Sequence, residues 1–162
     1  MVIRITKQVG GGTVLRCVRA DGSETWQRQD GDRAVFFALH DLTHFAVETE
    51  LGYRRGFYGL IAHGWEIEET TGKTARGPLP AKAVEVEYLV SAFSAERSSG
   101  STASPDEFNQ LAKTFARSKG MASPRELSSE ELERVRGRFA ELATKWQMVA
   151  PGDSLELRLK GT

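Results

Sequence analysis

Apolar and polar residues alternate at both ends of this 162-residue chain and recur every three or four positions in between. Val2, Ile3 and Ile5 open a short strand that Gly10-Gly11-Gly12 breaks. Residues 13–19 and 23–29 then flank Ala20-Asp21-Gly22, whose Asp-Gly pair is a strong hairpin signal. Near the other end, residues 154–160 alternate so that Leu155, Leu157 and Leu159 face the core from a half-buried strand. A lone two-stranded hairpin is marginal in water. The C-terminal strand is therefore expected to join the N-terminal ones in one antiparallel sheet.

Between these ends the helical period dominates. Asp32 is placed to cap a helix over residues 34–51, with Gly52 as its stop. Residues 57–63 predict a short second helix ending at Gly64, and residues 70–80 an irregular connection rich in glycine and proline. Residues 81–96 fit two patterns. Val84, Val86, Tyr88 and Val90 alternate like a strand, while Val86, Leu89, Val90 and Phe93 form a helical stripe; length and the alanines favour the helix. After a polar, flexible connector at 97–104, Ser104, Pro105 and Glu107 supply the cap, first-turn proline and capping box of another helix, which Gly120 ends. Ser128 and Glu131 repeat the box before the longest helix, where Leu132, Val135, Phe139, Leu142, Trp146 and Val149 recur until Pro151-Gly152. That stripe suits an amphipathic core helix or, alternatively, the seam of a homodimer. The fold class is α+β: a small antiparallel sheet, from the N-terminal hairpin region and the C-terminal strand, packed against four or five helices. The length suits a single domain over residues 1–162.

Charge narrows the function classes. Lysine plus arginine balances aspartate plus glutamate, 22 against 22, so no global field draws nucleic acid or an anionic membrane. The basic run Arg134 to Arg138 shares its helix with Glu130, Glu131, Glu133 and Glu141, which reads as a mixed-sign solvated face. The single cysteine, Cys17, excludes an internal disulfide and a multi-cysteine zinc site. No segment approaches the roughly 18 apolar residues of a membrane span, and the first residues read as a strand rather than a secretion signal, so a cytoplasmic location is expected. Thr71-Gly72-Lys73-Thr74 ends like a phosphate-binding loop, but Ile67 stands where that loop needs glycine.

The candidate chemistry lies in residues 36–48, where His40, Asp41, His44 and Glu48 sit inside one of the most apolar runs of the sequence. Titratable groups in such surroundings must be neutral, hydrogen-bonded, paired or metal-bound. On a helix, residues four apart stack one above the other, so His40 and His44 can aim two imidazoles at one point, as metal-binding helices do. Phe36, Phe37, Val47 and Leu51 surround this stripe, which predicts a helix apolar nearly all round and central to the core. Glu48 lies eight residues from His40, a rise of roughly 12 Å. It suits a partner of His44, a neighbour of Arg54 or Arg55, or a ligand in a two-metal site better than a co-ligand of one ion.

Segment His40-Asp41-Leu42-Thr43-His44 resembles the His-Glu-x-x-His motif of zinc metalloproteases over five residues, with aspartate where those enzymes carry their glutamate base. No distal third-ligand signature accompanies it, and the peptidase activity is not carried over. A third ligand must come from elsewhere: His63, in a glycine-flanked segment beside Trp65, is the first candidate, followed by Glu66, Glu85 and Glu87. The reading is a site at His40, His44 and His63 for a divalent metal such as zinc, with an unidentified small-molecule ligand. As an enzyme it would perform metal-assisted hydrolysis with Asp41 or Glu48 as general base. The competing reading is a non-catalytic interaction or structural module in which the same cluster is a core hydrogen-bond network.

Overall fold

A computed structural model describes residues 1–31 and 33–160. Strands β1 (Val2–Lys7), β2 (Thr13–Val18), β3 (Glu24–Gln29) and β4 (Ser154–Arg158) form one antiparallel sheet in the order β3-β2-β1-β4. The expected partnership of the two chain ends is therefore real. β1 is central, with Ile3 opposite both Cys17 and Leu157, and Ile5 opposite Leu15 and Leu155. One face of the sheet is thus apolar and buried; the other carries Arg4, Arg16 and Glu156, with Trp26 exposed among them.

The described residues form five α-helices, α1 (Arg33–Glu50), α2 (Phe57–Ala62), α3 (Ala81–Ser99), α4 (Pro105–Ser118) and α5 (Ser129–Met148), with a 3₁₀ turn at Glu68–Thr71; α1 lies on the sheet, α3 and α5 pack on α1, and α4 packs on α3. Both capping boxes form. The Ser104 hydroxyl accepts from the Glu107 amide while the Glu107 carboxylate accepts from the Ser104 amide, and Ser128 and Glu131 repeat the exchange. The expected cap at Asp32 lies outside the described residues. The ambiguous segment is helical and runs to Ser99, so the connector begins later than its composition suggests. Arg97, expected in that connector, sits in the last turn of α3, donates to Thr43 Oγ1 at 3.1 Å and lies 4.7 Å over the Phe139 ring. Leu132, Val135, Leu142 and Trp146 of α5 are buried in the core that includes α1. No helix among the described residues is long and apolar enough to cross a membrane.

α1 is the central helix, packed against α5, α3, α2, β2 and β3. The expectation of an apolar surround needs one correction. Val35 and Phe36, in its first turn, are exposed because they face solvent, while Ala34 beside them is buried. At the other end Glu48 is 2 % exposed, and its carboxylate accepts from the amides of Tyr58 at 3.1 Å and Gly59 at 3.0 Å. Those amides are among the unsatisfied donors of the first turn of α2, so a buried anion here meets both an electrostatic and a hydrogen-bonding demand. Bare backbone makes the approach feasible: a Cβ on Gly56 would lie 2.5 Å from the Glu48 carboxyl carbon, and one on Gly59 would lie 2.3 Å from the Arg54 carbonyl oxygen.

Gly59→Ala is expected to destabilise the protein by about 1–3 kcal/mol, since rigid backbone must move to admit the methyl group. Gly137→Ala, on the exposed side of α5 with open space around it, should be neutral or stabilising by up to about 1 kcal/mol. Chemical denaturation of the two variants checks the contrast.

Candidate metal centre

Four titratable side chains, His40, Asp41, His44 and Glu48, interrupt the inward side of α1, and each has a different task. Nε2 of His40 lies 3.2 Å from Nε2 of His44, and Nε2 of His44 lies 3.3 Å from Oε1 of Glu87 on α3. Ligand atoms of these three residues all fall within 4.8 Å of one another, so His40, His44 and Glu87 could hold a metal ion. Two nitrogens bound about 2.0–2.1 Å from a tetrahedral ion sit about 3.3 Å apart. The two separations at His44, 3.2 and 3.3 Å, are compatible with neighbouring donors around one centre and equally with direct hydrogen bonds between the side chains. Two imidazoles and a carboxylate are the donor set of hydrolytic zinc sites and also of non-haem iron(II) sites.

The other side of His44 faces Glu48, with Nδ1 3.6 Å from Oε1. That separation is longer than a hydrogen bond, and Nδ1 is buried without a hydrogen-bond partner, so Glu48 acts on this imidazole through its charge. Both Glu48 oxygens already accept backbone amides, so this residue is suited to that electrostatic role rather than to act as a proton-accepting base. Aromatic rings fix the imidazoles laterally: Phe36 stacks on His40 at 5.7 Å between centroids, and Phe57 lies 5.1 Å from His44. A cavity of about 330 Å³ opens over the three donors, with Asp41, Phe37, Gln27 and Thr70 in its wall.

Electrostatics separates the two imidazoles. Burial pushes His40 down to about 3, helped by the charges of His44 and Arg97, so the ring is neutral, as a ligand must be. Burial also presses His44 down, but the carboxylates of Glu87, Glu48 and Asp41 outweigh it and hold this ring above its ordinary value. Asp41 is raised to about 7, chiefly by burial and with Glu87 adding to the rise, while His44 pulls the other way. A carboxyl near its midpoint at neutral pH suits a group that takes and returns a proton. Cys17 is pushed up to about 12 by burial and then by Asp41, so it is a packed thiol and no nucleophile.

The structure brings His40, His44 and Asp41 to one cavity and leaves His63 out of it. His63 caps the end of α2, where its Nδ1–H donates to the Gly59 carbonyl at 2.7 Å. The third residue of the cluster is Glu87, which the sequence offered only after His63. The signal was nonetheless present. Glu87 lies four residues after Ala83 and three before Val90, both buried, so it continues the inward stripe of α3. Glu66 pairs with Arg19, and Glu85 with Lys82 and Tyr53. Thr43 and Arg97, which brace the helices beside the site, carried no sequence signal of their own.

Comparison with protein families, with characterised proteins and with solved structures finds no match to this chain. The functional reading therefore rests on the site's own chemistry.

In metal-free protein, His40 ring resonances should keep their neutral-imidazole positions down to about pH 4.5, where a free histidine is largely protonated. His44 should titrate above the ordinary histidine value. The sign for stability follows. Between about 6.5 and 3 the unfolded chain binds a proton at position 40 that the native state refuses, so this residue makes stability fall as pH drops through that window. NMR titration of the two imidazoles checks the assignment.

Proposed function

We propose that the protein binds one divalent metal ion of the zinc type through His40, His44 and Glu87, and that Asp41 serves as general base in metal-assisted hydrolysis. The observation that supports this best is the convergence of three donor atoms from two helices, all within 4.8 Å of one another, over an open cavity. Three protein ligands leave a position for water, whose pKa such an ion lowers toward neutrality. Asp41 follows the first ligand directly in sequence and lines the same cavity, in the place of the base in the resembling motif. Glu48 acts on His44 through its charge.

A second reading has its own observation. His44, held above its ordinary pKa between Glu48 and Glu87, can donate from both ring nitrogens and so satisfy the cluster without a metal. The protein would then be a structural or interaction module. Elemental analysis of untagged protein equilibrated with zinc separates the two. The metal reading expects one ion per chain, lost in His44→Ala and in Glu87→Gln; a parent without metal overturns it. Affinity should fall as pH is lowered, because the proton that His44 retains competes with the ion. Asp41→Asn should keep the metal and lose about 10²–10⁴-fold in hydrolytic rate. Full activity in that variant would remove the base role.

A further inference from the structure

We infer that the ligand of this centre is an alkyl compound with an oxygen-donor head, its head on the metal side and its apolar tail along α3. The inference rests on the metal reading above and adds to it the chemistry of what is bound. A second, shallow and open depression of about 430 Å³ adjoins the metal cavity and shares three residues with it: Thr71, Leu79 and Glu87. Beyond those, its wall is mainly apolar, with Pro78, Val84, Tyr88 and Met121. Met121 is 45 % exposed, an adaptable thioether side chain left at the surface where a passing chain would cover it.

The shared wall is a built feature. Gly72 adopts φ +68°, and a Cβ there would come within 3.2 Å of Leu79 Cγ, so the loop folds tightly enough to set Leu79 between the two hollows. Charge points the same way. The charged side chains lining the second hollow are Glu87, committed to the metal, and Lys119. A cationic tail would therefore be opposed by Lys119, and a long polar one would find few partners. The larger hollow beside α5, about 590 Å³, offers an apolar tail much less, being lined by charged groups such as Arg138 and Glu141 that already pair at 2.6 Å.

The test uses the zinc-loaded full chain and a series of alkyl hydroxamates from acetohydroxamate to octanohydroxamate, read by titration calorimetry. Complete burial of a methylene is worth roughly fourfold in affinity, and a half-covered groove should give about twofold per methylene. The expected result is that rise along the series, flattened by Met121→Glu. Acetohydroxamate binding with no gain from longer chains overturns the groove and leaves the metal centre standing. A rise that Met121→Glu does not alter also overturns it, since the tail then lies elsewhere. A protein that takes up no zinc fails the metal reading itself, and this inference with it.

Discussion

Much of this molecule hangs on the carboxylate of Glu48. It is buried, accepts two amides at the start of α2, and stands behind the Nδ1 of His44. An isolated buried carboxylate would be prohibitively costly, so each of those contacts is a condition for the residue being there at all. The same demands explain why the chain is bare at Gly56 and Gly59. One anion thus ties the start of α2 to the helix that carries the histidines and also faces the inner side of an imidazole.

The rest of the site divides the cost of buried polarity unevenly. His40 is relieved of charge by its surroundings, while His44 gathers the carboxylates and keeps its proton more readily. Neighbouring groups pushed in opposite directions are characteristic of places where proton or metal chemistry occurs, though structural ion-pair networks do the same. What distinguishes this cluster from a purely internal network is its access to a cavity.

Local rules make most of the fold legible in the sequence. The capping boxes at Ser104 and Ser128, the hairpin at Asp21-Gly22 and the alternation of Leu155, Leu157 and Leu159 are each decided by residues close in sequence. What failed was non-local. The exposure of Val35 and Phe36 depends on which side of α1 faces solvent, and the extension of α3 through Arg97 depends on Thr43 and Phe139 receiving its guanidinium. The site shows the same split. Helical pitch alone pairs His40 with His44, but choosing between His63 and Glu87 required the angle at which α2 and α3 meet α1. His63 turns back onto its own helix, and no periodicity in its six-residue neighbourhood announces that.

Because both imidazoles and Asp41 ride on one rigid helix, their mutual spacing is a property of α-helical pitch and is insensitive to loops or to the sheet. Glu87 alone arrives from another element. An ion held among them would act as a rivet between α1 and α3, and sliding of one helix along the other by a fraction of a turn would undo it. The centre is thus geometrically two-part, a fixed jaw and a movable one, and its occupancy reports the relative placement of two helices.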